Sequence, residues 1–204
     1  MDMGVSCSLN ACYSCNLCEL AKTRKKVVLF RGDPSARVML IGEAPGAAED
    51  LVGEPFVGRS GKKLDNLLKR VGLNIHEDLY ICNAIKCRPP KNRRPTKSEI
   101  KACRPWLEKQ IALVDPLVII LAGTTAVETI LGLKDGISTL RGNWQRWEGR
   151  WVMPLFHPSY LLRNPSSAEG SPSSLTFNDL IEVKKMINGS LKFHQNLDNE
   201  FLKL

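Results

Sequence analysis

Four stretches of this chain hold residue types able to do chemistry together. Cys15-x2-Cys18 offers two thiols, and Cys87 and Cys103, with fifteen residues between them, offer two more. Residues 42–61 read GEAPGAAEDLVGEPFVGRSG, a glycine-punctuated loop that places Glu43 and Glu49 near Phe56. Asn83 and His157-Pro-Ser each follow an apolar run. Thiolates bind metals, a carboxylate can orient water, an amide offers a donor and an acceptor, and an imidazole can donate to a developing anion.

The thiols are best read through the compartment they imply. Seven cysteines is an odd number, and Met1 to Cys18 has neither a basic n-region nor an apolar run, so nothing there resembles an export signal. An intracellular, cytoplasmic setting disfavours a disulfide scaffold and makes metal ligation the leading use. Zinc and an iron–sulfur cluster both accept four thiolates. Zinc sites usually come as two short knuckles, so a second pair with fifteen intervening residues favours a cluster. Cys12-x2-Cys15 is an equally good knuckle, and spacing alone leaves open which four cysteines serve.

The elements that must position these residues follow from hydrophobic period. Arg37 to Gly42, Leu79 to Ile85, Leu117 to Leu121 and Trp151 to Phe156 are short apolar runs that read as buried strands. Ser60 can open a helix bearing Leu64, Leu67, Leu68 and Val71, closed by Gly72. Thr96-Lys-Ser-Glu99 is a capping box opening a second helix, in which Pro105 should force a kink or restart. Further helices are expected over Thr125 to Leu131 and about Thr176 to Ile187, with a surface loop over Asn164 to Ser174. Alternating strands and helices predict a single-domain, three-layer α/β/α fold around a central, mostly parallel four-stranded sheet. Residues 1–26 form a cysteine-rich N-terminal segment, and the structure of the tail, 190–204, is not predicted. Ligands on such sheets bind beyond the strand carboxyl ends, where the glycine loop, Asn83 and His157 would gather.

The chain has 204 residues, is 43% apolar and 25% charged, and is long enough to bury one core. Its longest apolar stretch, Leu117 to Ala122, is too short to span a bilayer. Of the net charge of +8, most lies in one segment: nine basic residues from Lys86 to Lys109 face only Glu99 and Glu108. Such a concentration suits a polyanion such as nucleic acid, although a solvated helix face would look the same. Gly58-Arg-Ser-Gly-Lys-Lys lacks the spacing of a phosphate-binding loop.

Taken in order, Gly42-Glu-Ala-Pro-Gly46, Glu49-Asp50, Gly53-x-Pro-Phe-Val-Gly58, Asn83, Lys86-Cys-Arg-Pro-Pro90, Cys103 and His157-Pro-Ser-Tyr-Leu-Leu-Arg163 resemble a family-four uracil-DNA glycosylase, the iron–sulfur branch of the uracil-DNA glycosylase superfamily. With the cysteines, the likeness covers residues 12 to 163, about three quarters of the chain. It implies a monomeric base-excision-repair enzyme that removes uracil from single- and double-stranded DNA and leaves an abasic site. It also implies a [4Fe-4S] cluster held by Cys15, Cys18, Cys87 and Cys103. Phe56 would stack on the flipped base, Asn83 would read its edge beside Ala44, and His157 would stabilise the leaving base. Glu43 or Glu49 would orient the water. In other branches an aspartate stands where this chain has Ala44, so the division of labour between the two glutamates is open. Leu161 or Leu162 would wedge into the vacated stack, with Arg163, Arg88, Arg93 and Arg94 on the DNA backbone.

A related branch that captures uracil-DNA covalently carries an Arg-Arg-Ile-His-type insertion after the Pro-Phe-Val-Gly motif. Here Arg59-Ser-Gly-Lys-Lys-Leu follows directly without a histidine, which argues for turnover. A non-catalytic four-cysteine DNA-binding module would account for the thiols and the basic segment. It would leave Phe56, Asn83 and His157 without a joint purpose.

Overall fold

A computed structural model describes the backbone of residues 9–201 and the side chains of residues 9–189. Its centre is built from strands that are apolar along their whole length, because both of their faces are covered. Strands β2 (Val38–Gly42), β3 (Leu79–Asn83) and β4 (Val118–Ala122) are buried at every residue. With β6 (Arg150–Leu155) they form a parallel block. Two three-residue strands, β1 (Phe30–Gly32) and β5 (Gln145–Trp147), add antiparallel edges, giving the order β1-β3-β2-β4-β6-β5. The sheet therefore has six strands; the four expected from sequence are its parallel interior.

Alternate residues of each strand feed opposite cores. Val38, Leu40, Ile81 and Ile120 point toward α2 (Arg59–Arg70) and α7 (Pro172–Phe201), meeting Leu64, Leu67, Leu68, Leu180 and Val183. Met39, Ile41, Cys82 and Ile119 point the other way, toward Leu107 and Ile111 of α3 (Lys97–Val114) and Val127 of α4 (Thr124–Leu131). Full burial of one such leucine contributes about 1.5–3 kcal/mol. Three short helices complete the fold: α1 (Ala47–Val52), α5 (Ile137–Leu140) and α6 (Pro158–Arg163).

Helix α3 opens on the expected capping box, with Thr96 Oγ1 accepting from the Glu99 amide at 3.2 Å and Glu99 Oε2 accepting from the Thr96 amide at 2.8 Å. The expected restart at Pro105 does not occur; the helix runs on from Lys97 to Val114. Pro105 lies on the exposed face, where water can satisfy the carbonyl one turn back that its missing N–H leaves unpaired. The last helix starts earlier than expected, at Pro172, and its backbone continues through part of the 190–204 tail. Among the described residues no helix is long and apolar enough to cross a membrane.

From β2 the chain crosses to β3 on one side, and from β4 it crosses to β6 on the other. The connections thus diverge between β2 and β4, opening a crevice at their carboxyl ends.

Candidate active site

Much of what the crevice uses arrives at a strand end. Glu43 and Ala44 follow β2, Asn83 ends β3, Thr124 and Thr125 follow β4, and His157 caps α6 just after β6. Glu43, Ala44, Asn83 and His157 line a cavity of about 250 Å³ whose walls also include Glu49, Phe56, Arg93 and Ser159, while Thr124 and Thr125 line the adjoining one. The residues expected for base binding and catalysis, drawn from five stretches of sequence, therefore share one chamber.

Phe56 sits at φ 56°, in the left-handed region that non-glycine residues rarely adopt. Its carbonyl lies against α2, where a Cβ on Gly61 would come within 1.7 Å of the Phe56 oxygen. At the end of β2, a Cβ on Gly42 would stand 2.4 Å from both the Phe56 ring and Asn83 Oδ1. The bare backbone of Gly42 thus lets an aromatic face and an amide meet in one corner. Asn83 is 2% exposed, and among the described residues no protein group hydrogen-bonds its carboxamide.

His157 is held by its own helix. The backbone N–H of Ser159 donates to Nδ1 at 3.2 Å, and Ser159 Oγ lies 2.8 Å from the same nitrogen. A backbone N–H can only donate, so Nδ1 is an acceptor and the ring proton sits on Nε2. Burial, reinforced by the Arg163 charge and opposed by Glu49, pushes the imidazole pKa down to about 4. The ring is therefore neutral at pH 7 and presents one N–H donor.

The two glutamates differ in their free valence. Both Glu49 oxygens are occupied by backbone, Oε2 by the Gly46 N–H at 3.1 Å and Oε1 by the Gly58 N–H at 2.8 Å. Glu49 is a clasp that closes the glycine loop around α1. Glu43 is engaged at one oxygen only, by the Thr125 hydroxyl, and Thr125 Oγ1 in turn accepts from Arg94 Nε at 3.1 Å. Glu43 lines both the first cavity and a second one of about 480 Å³ that adjoins it and is also lined by Arg94, His157, Tyr160 and Arg163.

The expected DNA contacts divide. Leu161 is fully buried in the core against β6 and α2, so it is not a surface wedge; Leu162 and Arg163 reach the surface. Arg93 forms a two-pronged pair with Glu99, at 2.9 and 2.6 Å, and Arg94 pairs with Glu128 at 2.6 Å. Arg88 donates to Asn92 Oδ1 at 2.7 Å. Lys86, one of the nine basic residues of the segment, has no exposed surface at all.

The cysteines converge behind β3. Cys12, Cys15, Cys18, Cys87 and Cys103 line one cavity between the N-terminal segment, the loop after β3 and α3. Three sulfurs receive N–H donors: Trp106 Nε1 to Cys15 at 3.2 Å, an Arg24 guanidinium N–H to Cys87 at 3.4 Å, and the Lys86 amide to Cys103 at 3.3 Å. Donors aimed at sulfur are what ligating thiolates require. Among the described residues no group of three His, Cys, Asp or Glu is close enough to hold a lone metal ion. Five thiols around one cavity, three of them receiving N–H donors, are a donor set that fits a thiolate-held metal centre.

Sequence reasoning overlooked Thr125, Ser159 and Lys86. Thr125 had a signal, a hydroxyl in the first turn after a strand entering the same crevice; a buried lysine had none.

A layered α/β domain with a base-sized chamber at its topological switch point is the class this fold and site define. Residues 29–181 match the family model of the Uracil DNA glycosylase superfamily. Over 155 residues the chain is 46% identical to the type-4 uracil-DNA glycosylase of Thermotoga maritima, covering 75% of this chain and 80% of the relative. The type-4 enzyme of Archaeoglobus fulgidus is 41% identical over 76% of this chain and 82% of its own. A type-5 uracil-DNA glycosylase of Thermus thermophilus is 33% identical over 63% of this chain and 67% of the relative. The chain belongs to the uracil DNA glycosylase superfamily and, within it, to the type-4 family.

Proposed function

We propose that the protein is a monofunctional uracil-DNA glycosylase that hydrolyses the N-glycosidic bond of a flipped uracil nucleotide in single- or double-stranded DNA. The observation that carries this reading is the shared chamber of Phe56, Asn83, His157 and Glu43. Phe56 stacks on the base. The Asn83 carboxamide accepts from uracil N3–H and donates to O4, a pattern that cytosine reverses. His157, neutral and protonated at Nε2, donates to O2 as charge develops on the leaving base.

Glu43 orients the water. The water oxygen bonds to C1′ of the sugar while the C1′–N1 pair leaves with the base; the water proton passes to Glu43, and the uracil anion is later protonated. Glu49 is too fully committed to the backbone for that role and instead shapes the loop. Leu162 and Arg163 engage the duplex from the rim, and Arg88, Arg93 and Arg94 lend positive charge near the backbone path.

Cys15, Cys18, Cys87 and Cys103 would hold a [4Fe-4S] cluster, with Cys12 outside the ligand set. When bound, the cluster would supply a covalent cross-link between residues 1–26 and the body of a single domain. The chain would act as a monomer. Incubation of purified protein with a uracil-containing oligonucleotide, followed by alkali, should give a cleaved product from both strand forms. Absence of product would refute the reading.

A further inference from the structure

Lys86 is among the largest side chains that are wholly buried. Its ammonium donates to the main-chain oxygen of Asn83 at 2.5 Å. Its backbone is pinned on both sides, the N–H to Cys103 Sγ at 3.3 Å and the carbonyl by the Val28 N–H at 2.8 Å. None of the ion pairs among the described residues includes it. A buried ammonium without an anion costs several kcal/mol. Sulfurs surround it: its own N–H reaches Cys103 Sγ, Cys87 follows it in the chain, and the cavity it lines also holds Cys12, Cys15 and Cys18. Cys103 belongs to the ligand set, and Lys86 lines the cysteine cavity. Four thiolates around an iron–sulfur core carry net negative charge, whereas the one carboxylate lining the same cavity, Glu99, is already taken up by Arg93.

We propose that Lys86 is a positioning residue that couples the cysteine centre to the base-reading edge of the pocket. Its charge is balanced by the thiolate-held cluster on one side. On the other it grips the Asn83 carbonyl and so sets the direction in which the Asn83 carboxamide points. This inference rests on the glycosylase reading and on iron–sulfur occupancy of the cysteine cavity. It explains why a lysine in the most basic segment of the chain is turned inward, and it gives the cluster a bearing on base recognition beyond cross-linking.

The test uses Lys86→Met, Lys86→Gln and Lys86→Arg holoproteins, measuring iron and sulfide content, the reduction potential, KM and kcat on a uracil oligonucleotide, and affinity for uracil-free DNA. Met and Gln variants should keep their iron but show a more negative potential, because a positive charge beside the cluster is gone. Their KM should rise roughly tenfold or more, the loss expected for a charge-assisted hydrogen bond, while affinity for uracil-free DNA stays put. Lys86→Arg should restore the potential toward the wild-type value. Unchanged KM and potential in Lys86→Met overturn the inference. Loss of iron or fold in all three variants also overturns it, since Lys86 would then be needed for assembly and not for positioning. If the wild-type protein releases no uracil, the glycosylase reading fails on its own, and the potentials still decide whether Lys86 is the counter-charge.

Discussion

Phe56 and His157 face each other across the pocket with ring centroids 6.0 Å apart and planes inclined by 36°. A base sandwiched between two rings needs parallel planes separated by about 7 Å. The pair cannot clamp a base from both faces, so a base stacked on Phe56 meets His157 by its edge. That geometry assigns one ring to binding and the other to chemistry.

Phe56→Ala should therefore act mainly on binding. Removing one stacking face is expected to lower kcat/KM by about 10- to 100-fold, chiefly through KM, with the fold retained. Steady-state kinetics on a uracil oligonucleotide provide the check. A loss confined to kcat would place Phe56 elsewhere in the mechanism.

His157 should give an acid limb well below the usual histidine range. Burial, aided by Arg163, holds its pKa at about 4, so the neutral donor survives from pH 8 to near pH 5. His157→Ala should cost about 100- to 1000-fold in kcat. Stability follows with the opposite sense to a salt-bridged histidine. The unfolded state takes up the proton first, so the folded protein loses stability as pH falls from about 6.5 to about 4. Urea midpoints at pH 7.5 and 4.5 should converge more closely in His157→Asn than in the wild type. An equally steep fall in both would reject the assignment.

Glu43 and Glu49 should separate cleanly. Glu43→Gln removes the water-orienting oxygen and should lower kcat by about 100-fold or more with little change in melting temperature. Glu49→Gln turns an acceptor into a donor facing the Gly46 or Gly58 N–H, and should lower the melting temperature and raise KM. Thr125→Val, which frees the Glu43 carboxylate, should reproduce part of the Glu43 defect. If Glu49→Gln shows the larger loss in kcat at unchanged melting temperature, the roles are reversed.

The parallel interior of the sheet was legible because burial on both faces leaves unbroken apolar runs, as in Val38 to Ile41 and Val118 to Leu121. The edges were not legible. Phe30–Gly32 and Gln145–Trp147 are three residues each and partly exposed, so they carry neither length nor alternation. Asn83 and His157 stood out only through the ordered motifs of the family resemblance, since a lone strand-end asparagine or histidine is more often structural, and both line the same cavity. The site was unreadable where an ordinary residue gains its role from a distant partner. Lys86 looks like surface charge until α3 and the N-terminal segment close over it. Glu43 and Glu49 are chemically alike, and only the backbone amides of Gly46 and Gly58 tell them apart. Leu161 and Leu162 are adjacent and identical, and the helix turn alone decides which one enters the core.

The cysteine cavity predicts a graded response to mutation. Cys12 is 1% exposed, and among the described residues its sulfur receives none of the N–H donors that reach Cys15, Cys87 and Cys103. Cys12→Ala should keep full iron and sulfide and the brown absorbance. Cys87→Ala or Cys103→Ala should lose both and unfold at lower temperature. Iron loss from Cys12→Ala, with Cys18→Ala retaining it, would move the ligand set one cysteine toward the N-terminus.

Leu162 and Leu161 allow insertion to be separated from packing. Extruding a nucleotide from a duplex costs a few kcal/mol, whereas an unpaired base in single-stranded DNA is already free of most of that cost. A side chain that fills the vacated stack therefore helps only on duplex. Leu162 is partly exposed on α6, one residue before Arg163, while Leu161 has no exposed surface. Leu162→Ala should lower kcat/KM on duplex uracil about tenfold more than on single-stranded uracil. Leu161→Ala should leave that ratio alone and cost about 2–5 kcal/mol of folding stability through the cavity it creates. Equal losses on both substrates for Leu162→Ala would make it a general contact, and the wedge would have to be sought elsewhere on the rim.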